Sequence, residues 1–336
     1  MQKTKILAFL ITIAFAMGCG PDPSQNSNTA NTGGNVNSEP DANRGTITIA
    51  ERPAKIKEMM AARGEQDSAA PTLEIVSPAA GSTINSSTVK VRLKLGGDLK
   101  GYMPGMDPQT RMGNHIHVIL DNQPYEAYYN LRREFELWNV ADGEHTLRVF
   151  ASRPWHESYK NEGSFQMVRF TVKGGKADAS KPTTTSTGNT MADPASAANA
   201  NAVPAPPPTE GPRPGIEGKK MQNSAAGQAD PSKPLLTFSR PKGEYRDADA
   251  DAIMVDFWLA NAKLVGDGGD YRVRYSINGG EARFIDKWEP IWVSGVPAGR
   301  AFITLELVDK NGGQVDNGGY NSTTGYFMVL KAAPQN

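Results

Sequence analysis

The chain has 336 residues, a single cysteine, and 36 basic and 36 acidic side chains, so its formal net charge is zero. The balanced charge argues against a general nucleic-acid or anionic-membrane surface, and one cysteine excludes a disulfide within the chain. The length allows two domains.

The first nineteen residues have the order of a secretory signal. Lys3 and Lys5 give a positive start, residues 6–16 form an apolar run, and Met17 and the small Gly18 lead to Cys19. The apolar run has about half of the roughly 20 residues that a bilayer crossing needs, so a transmembrane helix is the weaker interpretation.

The segment 16–19 resembles the lipobox of bacterial lipoproteins, with Ala16 where that family prefers Leu. The resemblance implies that the Cys19 thiol carries a diacylglyceryl group, that residues 1–18 are a signal peptide, and that the new amine is acylated, for example with palmitate. Gly20 follows the cysteine, whereas an Asp there retains enterobacterial lipoproteins at the inner membrane. We therefore expect an outer-membrane lipoprotein of the cell envelope, held to the membrane by its N-terminal lipid.

Two stretches are too poor in apolar residues to build a core. Residues 19–71 predict a flexible tether, with a possible short helix over 53–63 that a proline opens and Gly64 stops. Residues 174–233 are rich in Pro, Ala and Thr and predict a disordered linker.

The remaining blocks, 72–173 and 234–332, alternate apolar and polar residues. The alternation is clear in 89–95 and 116–120, and a period of two predicts half-buried antiparallel strands. The blocks also share landmarks in the same order: a Pro-then-Gly opening turn, a strand running into a hairpin, and a closing strand. We expect an all-β protein in which flexible tethers hold two modules apart.

Each block resembles the immunoglobulin-like (Ig-like) sandwiches of bacterial surface proteins, which have about seven short strands per domain. The resemblance implies two Ig-like antiparallel β-sandwich domains in tandem. The fold by itself implies no chemistry. The chain also lacks a nucleophile elbow, a P-loop and a zinc-protease motif, so we expect a non-enzymatic binding or structural module.

A candidate metal site lies in the first block. His115 and His117 are two residues apart on a predicted strand, so their rings point the same way, away from the core face and toward solvent. A Gly- and Met-rich stretch precedes them and contains Met103, Met106 and Met112. Thioether and imidazole ligands together suggest copper, which makes a periplasmic copper-binding protein an alternative function.

The layout from Gly143 to the closing strand is faintly similar to the CopC-type periplasmic copper carriers, which are Ig-like sandwiches with a histidine before the last strand. Only His156 matches that histidine, and the chain lacks the N-terminal His of the family. The opposing interpretation is that the strand histidines are polar surface residues. His145 lies in phase with Leu147 and is expected to be hydrogen-bonded near the core edge.

Two further ligand hypotheses follow from composition. Exposed rings beside guanidinium groups stack on sugars, so a glycan-binding surface module is a third alternative. Its candidate patch consists of Trp138, Trp155, Tyr128, Tyr129, Arg132 and Arg153. Alternating aspartates at 247–251 resemble a calcium loop, but Ala252 and Trp258 stand where that loop needs Gly and Glu, so the EF-hand interpretation fails.

Overall fold

The computed structural model describes residues 46–186 and 228–331. The predicted signal peptide, Cys19, residues 19–45 of the predicted tether and residues 187–227 of the predicted linker lie outside this part. Both sandwiches belong to one compact unit. In the described part, the only α-helix is too short and too polar to cross a membrane.

The first sandwich consists of two sheets. Its strands are β2 (Ala70–Ser77), β3 (Thr83–Ile84), β4 (Val89–Asp98), β5 (His115–Leu120), β6 (Glu126–Tyr128), β7 (Phe135–Trp138), β8 (Gly143–Ser152), β9 (Phe165–Val172) and β10 (Thr184–Ser186). One sheet has the order β10-β7-β4-β2 and the other β3-β9-β8-β5-β6. All pairs are antiparallel except β3 with β9.

The second sandwich repeats this plan. Its strands are β11 (Leu235–Arg240), β12 (Gly243–Arg246), β13 (Ile253–Ala260), β14 (Tyr271–Ile277), β15 (Arg283–Ile285), β16 (Ile291–Ser294), β17 (Gly299–Asp309) and β18 (Ser322–Leu330). With β1 (Thr48–Ala50), which precedes the first sandwich in the chain, the sheet orders are β1-β16-β13-β11 and β12-β18-β17-β14-β15, with a parallel β12–β18 pair in the place of β3–β9. The shared strand order confirms the predicted fold class of two antiparallel Ig-like sandwiches.

Alternation along the strands builds each core. In β4, Val89, Val91 and Leu93 are buried, while Lys90 and the other intervening side chains are exposed. The outer face of that strand is solvated, as expected for an antiparallel sheet with one apolar face. Strand β5 differs, because all six of its residues are buried. Its outer face must therefore be covered by another part of the chain.

The covering element is the second sandwich. On the outer face of β5 and β8, Ile119 and Phe150 pack in one cluster with Trp258 of β13. The Trp258 indole donates a hydrogen bond to the Tyr159 carbonyl oxygen at 3.0 Å. The fully buried Arg148 donates to the Thr237 hydroxyl on β11 at 2.9 Å. The two modules are packed together, and the expectation that tethers hold them apart is wrong.

Residues 46–68, here called the strap, also join the sandwiches. The strap contains β1 (Thr48–Ala50), α1 (Ala54–Arg63) and a 3-10 turn (Gly64–Ser68). Strand β1 pairs with β16 of the second sandwich, whereas Arg63 donates to the Tyr159 hydroxyl of the first at 2.6 Å. The helix occupies the segment where one was predicted, but residues 46–71 are ordered by these contacts and do not form a tether.

The predicted linker also begins later than expected. Strand β10 pairs antiparallel with β7, and the Asn139 side chain donates to the carbonyl oxygens of Asp178 and Lys181. Residues 174–186 therefore extend the first sandwich, because β10 supplies the hydrogen bonds that the edge of β7 would otherwise leave open.

Candidate metal centre

Three histidine rings converge at the junction of the sandwiches. Two of them project from the outer face of β5, and His156 comes from the loop between β8 and β9. The Nε2 atom of His115 lies 2.9 Å from Nε2 of His117 and 2.9 Å from Nδ1 of His156. One ligand atom from each ring lies within 4.8 Å of the others.

The rings are enclosed, contrary to the expectation of a solvent-facing site. His115 and His117 are fully buried, and His156 is partly buried. The cover comes from the end of β11 and the turn after it, because the Ser239 hydroxyl lies 3.2 Å from Nδ1 of His117. The prediction that both rings share one face holds, but that face belongs to an interface between domains.

The remote nitrogen of each strand histidine has a partner that orients the ring. Nδ1 of His115 lies 2.8 Å from the Gly113 carbonyl oxygen, which can only accept, so Nδ1 carries the proton and Nε2 keeps its lone pair. A side chain at Gly113 would lie 1.7 Å from the Gly105 carbonyl oxygen, so only glycine fits here. The Ser239 hydroxyl can accept from Nδ1 of His117, and in that tautomer Nε2 of His117 also carries a lone pair.

The surroundings keep two of the rings neutral. Burial lowers the pKa of His117 well below its usual 6.5, and the neighbouring histidines and the cations Arg240 and Lys242 lower it further. Burial, Arg240, His115 and Lys242 act on the pKa of His156 in the same direction. Neutral imidazole is the form that binds a metal ion.

His156 has a backbone φ of +69°, in the left-handed region that costs a non-glycine residue about 1 kcal/mol or more. This conformation follows a tight turn in which the His156 amide donates to the Arg153 carbonyl oxygen at 2.9 Å. The turn brings the ring back over β5.

Tyr125 completes the inner wall of the cluster. Its ring stacks on the His117 imidazole, with centroids 3.6 Å apart and planes 8° apart. Its hydroxyl oxygen lies 3.2 Å from Nδ1 of His156. The Lys242 ammonium lies 4.2 Å from the centroid of the Tyr125 ring, and the Arg240 guanidinium lies 5.5 Å from it.

The spacing of these atoms fits a small metal ion. Four ligands at about 2.0 to 2.1 Å in a tetrahedron lie about 3.3 Å from one another. The two separations of 2.9 Å from Nε2 of His115 reach this value after movements of a few tenths of an ångström, and the three nitrogens together lie within 4.8 Å of one another. An imidazole set suits zinc, copper, nickel or iron.

The predicted methionine ligands lie in other surroundings. Met103 is 62% exposed, Met106 is partly buried in the loop before β5, and Met112 packs in an apolar cluster with Trp155 and residues of the strap. The short nitrogen separations described above involve imidazoles alone. The candidate ligands are therefore the three imidazoles.

The predicted aromatic and arginine patch is not a single exposed surface. Trp155 and Tyr128 are buried, and Arg153 is held by Asp67 at 2.8 Å and stacks on Tyr159. Three members of the patch thus serve in packing. The others are separate: Trp138 is exposed and donates to Glu136, Arg132 is exposed, and the Tyr129 ring lies 5.0 Å from that of His115.

The structure places His145 as predicted, in hydrogen bonds at the core edge. Its Nδ1 lies 2.9 Å from the Asp121 carboxylate and its Nε2 lies 2.8 Å from the Ala141 carbonyl oxygen. Burial alone lowers the pKa of His145, but the hydrogen bond and charge of Asp121, together with the Ala141 carbonyl, raise it above 6.5.

No family model matches this chain, and no curated protein matches it. Several solved structures match over most of this chain. The fibronectin(III)-like modules of Clostridium thermocellum CbhA match at 10% identity and a TM-score of 0.23, covering 79% of this chain and 97% of that one. The D00-D0 domain of intimin matches at 10% and 0.20, covering 77% and 100%.

A two-domain fibronectin type-III segment of chicken tenascin matches at 11% identity and a TM-score of 0.18, covering 77% of this chain and 98% of that one. Scores of this size carry no functional argument. The strand order of this chain itself shows the two β-sandwiches.

Proposed function

We propose that this protein is a lipid-anchored binding module of the cell envelope that holds one divalent transition-metal ion, preferably copper, at the junction of its Ig-like sandwiches. The observation that carries the proposal is the convergence of three imidazole nitrogens within 4.8 Å of one another. The ligand atoms are Nε2 of His115, Nε2 of His117 and Nδ1 of His156.

The chemistry of the donor set supports a metal. Two of the rings are held neutral, so protons compete little for their nitrogens near pH 7. Gly113 and Ser239 act as orienting partners of the kind that ligating histidines usually have. For nitrogen ligands, affinity rises to copper and falls again at zinc, which favours Cu(II) over Zn(II).

The placement in the envelope rests on the N-terminal sequence. A lipid on Cys19 would hold the protein to a membrane, and Gly20 favours the outer membrane. The absence of catalytic motifs in the sequence supports a binding role over an enzymatic one. The glycan hypothesis loses its support, because Trp155, Tyr128 and Arg153 serve in packing.

Titration calorimetry tests the metal site. The chain from residue 19 onward, produced without lipid and treated with chelator, should bind one Cu(II) per molecule and Zn(II) more weakly. His117→Gln and His156→Asn should lose this binding, and Asn tolerates the left-handed backbone at 156.

The matched control is His145→Asn, which removes a histidine of the same sandwich outside the cluster and should keep one copper per chain. Circular dichroism verifies that each variant is folded. The proposal fails if the unmodified chain binds neither ion, or if the two cluster variants bind copper as the control does.

A further inference from the structure

We propose that the strap controls the metal site, with Arg52 and Asp67 as positioning residues for the third ligand, His156. This inference rests on the proposed function and adds a regulatory element to the same site. Both residues act through the loop between β8 and β9, which carries His156.

The strap holds this loop by two ion pairs, one on each side of His156. The Arg52 guanidinium donates to the Glu157 carboxylate, with Nη1–Oε2 at 2.8 Å and Nη2–Oε1 at 3.4 Å. The Arg153 guanidinium donates to the Asp67 carboxylate at 2.8 Å and to the Asp67 carbonyl oxygen at 2.9 Å. The side chain of Glu157 is 7% exposed and that of Arg153 is 13% exposed, so salt screens these pairs less than it screens pairs at the surface.

An apolar contact lies between the two ion pairs. Trp155 packs in one cluster with apolar side chains of α1. Its indole donates to the Glu157 carboxylate at 2.8 Å, and the Arg63 guanidinium lies 5.4 Å from the centroid of its ring. The strap therefore contacts the residue directly before His156 and the residue directly after it.

The backbone of His156 needs such support. Its φ of +69° lies in the left-handed region, and a residue keeps a conformation of this kind only where the surrounding contacts impose it. Ser158 is held separately, because its amide donates to Asp256 of the second sandwich at 2.9 Å. Loss of the strap contacts should therefore let residues 153–157 relax and withdraw the His156 ring, while the two histidines of β5 stay in place. The site would then keep two imidazoles instead of three.

The coupling between the strap and the metal is reciprocal. If release of the strap weakens copper binding by a given factor, copper must strengthen the docking of the strap by the same factor. The copper content of the protein therefore sets how firmly the strap is held.

The first test is Arg52→Gln in the full chain from residue 19, loaded with one equivalent of Cu(II). Pulsed electron paramagnetic resonance counts the bound imidazoles through the couplings of their remote nitrogens. We expect three imidazoles in the unmodified protein and two in the variant. Titration calorimetry should show that the variant binds Cu(II) at least about tenfold more weakly, which is the lower end of the effect of losing an outer-shell partner.

Lys55→Gln is the matched control, because it also replaces a cation of the strap by an amide. Lys55 pairs with Asp249 of the second sandwich at 3.4 Å, and both side chains are exposed. This variant should keep three bound imidazoles and the affinity of the unmodified protein.

The second test needs no substitution and decides the question if Arg52→Gln does not fold. Hydrogen exchange of the unmodified protein is measured with and without Cu(II). The amides of α1 should exchange about tenfold more slowly with copper bound, whereas those of β10, in the other sheet of the first sandwich, should change much less.

The possible outcomes separate this inference from the proposed function. If Arg52→Gln binds Cu(II) through three imidazoles with unchanged affinity, or if copper leaves the exchange of α1 unchanged, control by the strap is refuted while the histidine site stands. A count of two imidazoles in the unmodified protein would also refute it. If the unmodified protein binds no Cu(II), the proposed function itself fails.

Discussion

The most informative perturbation of the domain interface is Asp256→Asn. Asp256 lies on β13 of the second sandwich and is fully buried. Its carboxylate accepts from the Lys160 ammonium at 2.6 Å and from the Ser158 backbone amide at 2.9 Å, both in the first sandwich. An asparagine keeps an oxygen for the Ser158 amide, so the substitution mainly removes the charge opposite Lys160.

The expected magnitude follows from the geometry. At 2.6 Å and an effective dielectric constant of about 20, the attraction of the pair is about 6 kcal/mol before desolvation. Breaking a buried pair typically costs about 3 to 5 kcal/mol. The Lys160 side chain is 17% exposed and regains some hydration, so we expect a loss near the lower end, about 3 kcal/mol. This corresponds to a fall in Tm of roughly 6 to 12 °C.

The assay is urea unfolding followed by tryptophan fluorescence and by circular dichroism. Trp258 and Trp288 pack against each other at the interface and report on it directly. We expect a single transition that both probes share, shifted to lower urea in Asp256→Asn. The control is Asp249→Asn, which removes an exposed partner of Lys55 and should leave the midpoint unchanged.

A loss below about 1 kcal/mol would mean that the pair at Asp256 contributes little to docking of the sandwiches. Two separated transitions, with only one of them moved, would show that the sandwiches unfold independently. The first result would assign the stability of the interface to its other contacts, and the second would refute its role as a cooperative part of the fold.

The remaining predictions concern pH and the lipid. The metal-free protein should lose stability as the pH falls below about 6.5, because unfolding lets His117 and His156 take up protons that their lowered pKa values exclude in the fold. The free energy of unfolding, measured by urea or thermal unfolding at a series of pH values, should fall with a slope that approaches about 2.7 kcal/mol per pH unit for two protons. In His117→Gln this slope should be half as large, and a flat profile from pH 7 to 5 would contradict the prediction. His145 has the opposite effect on stability, and it acts at higher pH. Because its pKa is raised in the fold, it contributes stability that is present below pH 6.5 and is lost as the pH rises through the folded-state pKa. In bacterial cells, Cys19→Ala should abolish incorporation of labelled fatty acid, and a variant that remains labelled would disprove the anchor.

Local patterns predicted the strands well. The alternation in β4 places Val89, Val91 and Leu93 in the core, as the sequence indicates. The landmarks shared by the two blocks correspond to one strand order used twice. Both results depend only on residues that are neighbours along the chain or repeat in register.

The environment of the candidate site depends on residues far away in sequence. The spacing of His115 and His117 predicts a shared face, but it cannot reveal that Ser239 covers that face. The sequence does contain a signal, because Ile119 and Phe150 are apolar residues on the face predicted to be exposed, and such residues indicate a covered sheet. No comparable sequence pattern predicts the position of His156, because its ring is positioned by a turn in the loop between β8 and β9.

The strap also limits the order in which the contacts of the fold can form. Residue 50 of β1 pairs with residue 292 of β16, so the first strand of the described chain can pair only after β16 has been synthesised. Contacts between such distant residues form late, and a chain made from its N-terminus folds its leading domain first. We therefore expect the outer face of β5 to stay exposed to solvent until the second sandwich has been synthesised. During that interval His115 and His117 are accessible to ions in solution, and they become buried only when the second sandwich packs against them.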